Sequence, residues 1–205
     1  MTKPEWRSYA HDDIAPKDRY KLMSGAIVPR PIALVTTISP EGILNAAPIS
    51  FFNCLSADPG ILALGVETKE DGSIKDTAAN IRRTGEFTVN MVSAAMFNAM
   101  RICSQTLPPE EDEIALSGLT PLPSISVAPP RLEESPVAFE CEHHTTLETS
   151  ASRQIVLGKV KHIHFRADVI DTEKAYIHQD RMNLIGRMSG PGYVRLNDIF
   201  TELEG

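Results

Sequence analysis

Lys75, Asp76 and Thr77 open the stretch Lys75-Asp76-Thr77-Ala78-Ala79-Asn80-Ile81, and together they can grip an anion. An ammonium on a flexible stem, a hydroxyl and the free N–H groups of a helix start are the donors that a phosphate needs. Charge-assisted hydrogen bonds of this kind contribute roughly 1.5–3 kcal/mol each, and a helix terminus adds about 0.3–1 kcal/mol. Taken alone, the stretch reads as an ordinary capped helix with a surface lysine. A second group of residues changes that reading. Thr36-Thr37 and Ala46-Ala47-Pro48-Ile49-Ser50-Phe51-Phe52-Asn53 combine hydroxyls with unusually small neighbours. Ala46 and Ala47 let a flat heteroaromatic ring approach the backbone, and Ser50 can donate to a ring nitrogen or carbonyl. Phe51 and Phe52 face opposite sides of a strand, so at least one is core while the other can meet a ligand or a partner subunit. A ring site joined to a phosphate site describes a nucleotide-like cofactor.

The elements that must position these groups are mostly strands. Residues 32–38 (IALVTTI) are rich in β-branched side chains and predict a strand. Ser39-Pro40-Glu41-Gly42 supplies turn chemistry, and residues 43–52 return antiparallel. Residues 60–66 (GILALGV) form another short apolar strand. Asp76 is placed to cap a helix over residues 76–83, closed by Gly85, and residues 87–92 continue as a strand. Residues 94–103 are helix-like. Residues 108–130 are rich in proline and acid and read as a long excursion with a small helix near 110–116. Residues 137–147, 154–160 and 161–169 are β-rich; the last two predict one bent strand, with Gly158 at a bulge or kink. Many short strands with few helices predict a mainly β protein, a β-barrel with α decoration. There is no βαβαβ order, no GxGxxG and no GxxxxGK[ST].

Bulk properties set bounds on partners. The 205 residues carry 20 Lys+Arg against 27 Asp+Glu, a net charge of −7, which argues against a nucleic-acid or anionic-membrane binder. One bound phosphate is compatible with this charge, because screening limits distant charges to about 8 Å in physiological salt. Cys54, Cys103 and Cys141 make no CxxC pair, and an odd count suits a reducing cytoplasm. The N-terminal residues MTKPEWRSYAHDD have no apolar core, so no signal peptide is expected. His143-His144 and His162-x-His164 lack a complementary carboxylate or cysteine at metal-site spacing and read as ordinary solvated or hydrogen-bonded histidines. Residues 110–113 (Glu-Glu-Asp-Glu) read as a solvated acidic helix start.

In order and spacing, these segments resemble the flavin reductase-like family, whose members bind FMN in a split β-barrel of Greek-key type. The resemblance runs through Arg30-Pro31, Thr36-Thr37, residues 45–52 (NAAPISFF), Asp58-Pro59, residues 75–81 (KDTAANI) and residues 84–90 (TGEFTVN). It continues through residues 118–120, Glu134-Ser135-Pro136 with Glu140-Cys141, residues 158–160, and the stretch from Gly186-Arg187 to Tyr193. The chain departs from the family at Pro59-Gly60, where many relatives have two prolines, and at Ile114, where an aromatic is common.

Carried over, the resemblance implies a single FMN-binding domain over residues 1–205, with an N-terminal arm to about residue 20 and a C-terminal extension from about 170. It places the isoalloxazine ring beside Thr36, Thr37 and the segment Ala47, Pro48, Ser50, Phe51, Phe52, Asn53. The phosphate falls to Lys75 and Thr77 with Arg30 assisting, Asp76 between them also counts among the cofactor-binding residues, and Arg187 and Tyr193 lie near the pocket. The implied protein is a cytoplasmic homodimer with a flavin near the interface. It would take hydride from NADH or NADPH onto flavin N5 and pass electrons to a monooxygenase or another redox acceptor. No side-chain acid or base is required. Its rivals are a flavoredoxin-like electron carrier that does not use NAD(P)H and a flavin- or haem-binding module without turnover.

Overall fold

The computed structural model describes residues 4–69, 71–108 and 110–200. The first residues of the N-terminal arm, Pro109 of the proline-rich excursion and the last five residues of the C-terminal extension lie outside the described residues. Helices are α1 (Pro16–Ala26), α2 (Asp76–Thr84), α3 (Phe97–Ile102), α4 (Glu113–Ser117) and α5 (Gln179–Met182). Strands are β1 (Ala33–Ile38), β2 (Leu44–Ile49), β3 (Phe52–Ala57), β4 (Gly60–Glu67), β5 (Glu86–Met91), β6 (Pro121–Leu122) and β7 (Arg131–Leu132). They continue as β8 (Val137–Ser150), β9 (Arg153–Phe165), β10 (Ile170–Asp171), β11 (Tyr176–Ile177), β12 (Ile185–Arg187) and β13 (Tyr193–Arg195).

Seven strands form one antiparallel sheet in the order β2-β1-β5-β8-β9-β4-β3. The two edge strands, β2 and β3, are consecutive in the chain and are joined only by Ser50 and Phe51. A sheet whose two edges are linked by two residues must curl back on itself. At this seam the Gly65 N–H of β4 donates to the Phe51 carbonyl at 2.7 Å, extending the β3–β4 ladder by one residue. Gly65 permits this approach because a Cβ there would lie 2.8 Å from the Phe51 Cβ. The expected single return strand over residues 43–52 is therefore two strands, and the break falls inside the segment assigned to the ring.

Strand β1 has a core on each side. Ala33 and Val35 join Leu64, Ile81, Phe87, Val89 and Cys141 inside the barrel. Ile32 and Leu34 join Met96, Met100, Ile114 and Ile185 outside it, beneath α3 and α4. Ala78 and Ile81 insert one face of α2 into the inner core. Strands β8 and β9 make the long hairpin, and β9 is continuous across Gly158. The expected bulge lies instead on the partner strand, where the register shifts between His143 and Thr145. Gly158 serves close packing: a Cβ there would be 2.1 Å from the Phe87 ring.

Candidate functional site

Helix α2 begins beside the edge of β2. Lys75 takes the extended N-cap conformation (φ −62°, ψ 147°), and no side chain caps the first turn. The expectation that Asp76 caps this helix is thereby corrected. Asp76 is the first helical residue, and its carboxylate pairs with Lys69 Nζ at 3.0 Å. Ala79 N–H bonds to the Lys75 carbonyl, so the N–H groups of Asp76, Thr77 and Ala78 have no helical partner. The Lys75 side chain is exposed, while Thr77 is buried with only its cleft side open. Lys69 is a cation that sequence reading missed. The only local sign of it is the chain reversal made by the Thr68–Ile74 bridge.

Tyr20, Ala47, Pro48, Ser50, Phe51, Lys75 and Thr77 line a cleft of about 200 Å³. A smaller space of about 150 Å³ adjoins it and shares Ala47, Pro48, Lys75 and Thr77, adding Asn45, Asp76 and Glu113. On the other side of the seam lies an apolar hollow of about 440 Å³, lined by Met23, Ile27, Arg30, Phe52, Asn53 and Leu55 among others. The expected ring and phosphate residues thus meet across one cleft, with Arg30, Phe52 and Asn53 on the hollow behind it. Ser50 and Phe51 belong to both. Phe52 packs against the inner core, whereas Phe51 stays 41% exposed with Tyr20 beside it.

Thr36 and Thr37 do not reach the cleft. Both are fully buried, with hydroxyls already engaged. Thr36 Oγ1 donates to the Pro130 carbonyl at 2.5 Å, and Thr37 Oγ1 accepts from Asn45 and Asn80. Their position behind the wall follows from β1 being covered on both faces. Arg187 and Tyr193 also stand away from it. The Arg187 guanidinium lies 4.5 Å from the Tyr193 ring centroid, and Tyr193 packs edge-on against Phe97. Arg187 reaches the site only through its backbone, which pairs with Arg30.

Arg30 is buried, and its guanidinium is held by neutral groups. It donates to the carbonyls of Ser24, Ile27 (3.2 Å) and Met188 (3.3 Å) and, more weakly, from Nε to Ser50 Oγ at 3.4 Å. Among the described residues no carboxylate pairs with it. A fixed, uncompensated positive charge therefore stands at the Ser50 end of the cleft.

Glu113 corrects the reading of residues 110–113 as wholly solvated. Helix α4 turns Glu113 and Ile114 inward, and the Glu113 Oε2 accepts from Ala46 N–H at 3.4 Å. Burial pushes the carboxyl above its ordinary range, Asp76 and Asp112 add to this, and the Glu113 and Ala46 N–H groups partly oppose it. A raised acid favours the fold below its unfolded value and loses that contribution as pH rises through its folded value. Glu113→Gln keeps an acceptor for Ala46 without the charge. We expect it to raise the melting temperature at pH 7.5, with the gain shrinking below about pH 4. Thermal melts across this range check the prediction; equal gains at both ends would refute it.

His143, His162 and His164 are hydrogen-bonded and His144 is exposed, in keeping with the reading of solvated or hydrogen-bonded side chains. His164 Nε2 lies 2.6 Å from Glu140 Oε1, and His162 Nδ1 lies 2.7 Å from Ser126 Oγ. Burial alone would push the Glu140 carboxyl up. Bonds from the Ile125 and Ser126 N–H groups and from His164 outweigh it and hold it below the usual range. Glu140 thereby pins residues 124–130, whose Pro129 and Pro130 carbonyls accept from Thr88 and Thr36.

The chain matches known proteins over nearly its whole length. The family model described as "Flavin reductase like domain" matches residues 23–185. YwrF of Bacillus subtilis (strain 168) is 38% identical over 195 residues, covering 93% of this chain and 95% of its own. The crystal structure of nitrilotriacetate monooxygenase component B from Bacillus cereus superposes with a TM-score of 0.91 at 33% identity, covering 98% of this chain and 100% of that one. The 2-nitrobenzoate 2-nitroreductase of Pseudomonas fluorescens gives 0.88 at 32%, covering 97% and 96%. The fold is a flavin reductase split barrel. The chain belongs to the flavin reductase-like family, and that membership supports flavin binding and oxidoreductase chemistry. Among the described residues no helix is long and apolar enough to cross a membrane.

Proposed function

We propose that this protein is an FMN-dependent NAD(P)H oxidoreductase acting as one domain. The observation that carries the reading is the single cleft that joins the uncapped start of α2 to the small-residue edge of β2. Three free N–H groups, the Thr77 hydroxyl and the Lys75 ammonium suit a dianionic monophosphate. Ala47, Pro48 and Ser50 suit a flat ring, and the Arg30 charge favours negative charge at the Ser50 end. When bound, FMN supplies hydride acceptance at N5. The residues of the chain bind it, orient it and set the field around it.

A second copy of the chain covers the apolar hollow, where Met23, Ile27, Phe51 and Leu55 are between 41% and 62% exposed, and so closes the site from behind. The exposed free thiol of Cys54 suits a reducing cytoplasm. For the electron acceptor, the names of the two solved relatives suggest a monooxygenase partner or a nitroaromatic compound.

Anaerobic stopped-flow mixing of the FMN-loaded protein with NADH and with NADPH tests the reading. The oxidised flavin band is expected to bleach with at least one of them. Retention of the band with both would leave the flavoredoxin-like electron carrier in its place, and failure to take up FMN at all would remove both.

A further inference from the structure

Behind the cleft wall, two amides from different elements meet on two hydroxyls. Asn45 on β2 donates from Nδ2 to Thr37 Oγ1 at 3.2 Å and to Thr77 Oγ1 at 3.1 Å. Asn80 on α2 donates to the same Thr37 Oγ1 at 3.1 Å. All four side chains are buried. The Asn45 amide therefore spends its two N–H groups on one threonine of β1 and one of α2, and Asn80 fills a further position on the first.

A hydroxyl that accepts from an amide still has its own proton to place. Thr77 Oγ1 receives the Asn45 bond and donates to no acceptor among the described residues. Its one open side faces the cleft. Phosphate oxygens only accept, so the direction of this proton decides whether Thr77 attracts or repels them.

We infer that Asn45 is a positioning residue for the phosphate end of the cofactor, fixing the Thr77 hydroxyl as a donor aimed into the cleft. Thr37 and Asn80 act one step further back. Thr37 offers its oxygen to the Asn45 amide and Asn80 takes another acceptor position on it, which favours the Asn45 amide turned with its NH₂ toward the two hydroxyls. The inference rests on the FMN reading above, and it assigns Asn45 a role exerted through Thr77. It gives Thr37 an indirect part at the site while it lies behind the wall.

The test compares FMN with riboflavin, which lacks the phosphate, by quenching of flavin fluorescence on titration with the full-length protein. The wild type is expected to prefer FMN. In Asn45→Asp the carboxylate can only accept, so the Thr77 proton turns back toward it. FMN affinity should fall about tenfold or more, with riboflavin affinity changed less than about twofold. In a Thr77→Val background the same substitution should lower the FMN-to-riboflavin ratio much less. The added charge acts in both backgrounds, and only the hydroxyl direction differs between them. Thr37→Val removes the acceptor that orients Asn45 and should give a smaller loss of the same kind, which keeps the inference testable if Asn45→Asp fails to fold. An unchanged ratio in both variants, or equal losses for both flavins, overturns the role of Asn45. A wild type that takes up both flavins without preference overturns the phosphate site itself.

Discussion

The double variant Lys75→Ala, Thr77→Ala is expected to weaken FMN binding by roughly a thousandfold while leaving riboflavin affinity within about threefold. Two charge-assisted contacts of about 1.5–3 kcal/mol each account for the size of the loss. The backbone N–H groups of α2 survive the substitution, and they keep the loss from being complete. Selectivity is the decisive part. Neither side chain belongs to the inner core cluster, and the small-residue wall that receives the ring is untouched. Fluorescence titration of both flavins reads the two affinities. Unchanged FMN affinity would mean that the phosphate lies elsewhere, and a parallel loss of riboflavin would mean that α2 had been displaced.

Gly158→Ala is expected to cost about 3 kcal/mol and lower the melting temperature by about 10 °C. The new Cβ would stand 2.1 Å from the Phe87 Cζ, 2.7 Å from its Cε1 and 3.2 Å from the Cys141 Cβ. A long side chain at the surface could move away from such a clash. Phe87 is fully buried, within a cluster that includes Val89, Cys141 and Val156, so its ring can move only by displacing its neighbours. Adding Phe87→Leu to the variant should recover part of the loss, because the shorter side chain vacates the contested space. A melting temperature within about 2 °C of wild type, read by circular dichroism, would show that the barrel has slack at this point.

Strand β1, helix α2 and the pairing of the two site segments were legible in the sequence because each carries a local signal. β-branched runs, a helix start and a Pro-Glu-Gly turn need no knowledge of the rest of the chain. The break at Ser50-Phe51 was not legible. An apolar run does not mark the point at which the chain leaves one sheet edge for the other, and the exposed Asn53, Cys54 and Leu55 of β3 carry no buried-face pattern to announce a new strand. Thr36 and Thr37 were placed beside the ring by their hydroxyls and by the family resemblance; as neighbours on a strand they face opposite sides, and both sides are covered, Thr36 by Pro130 and Thr37 by Asn45 and Asn80. Lys69 and Glu113 reach the site through a folded-back connection and a distant helix, contacts that no local window contains. Asp76 lost its capping role to a one-residue shift of the helix start, within the ordinary uncertainty of element boundaries.

The edge of β2 has one more consequence. Donors alternate along an antiparallel strand between those facing the partner and those facing away. The Ala46 N–H bonds to Glu113 rather than to β1, so it and position 48 share the outward-facing set. Position 48 is a proline with no N–H to give, and the Ala46 donor is occupied by a carboxylate. An open strand edge normally invites another chain to add a strand, the first step toward aggregation. With Leu44 left as the outward donor of β2, this edge is a poor template for such an addition. The mouth of the cleft can therefore remain uncovered in the free protein without recruiting its neighbours, and it stays available to a small, non-peptidic ligand.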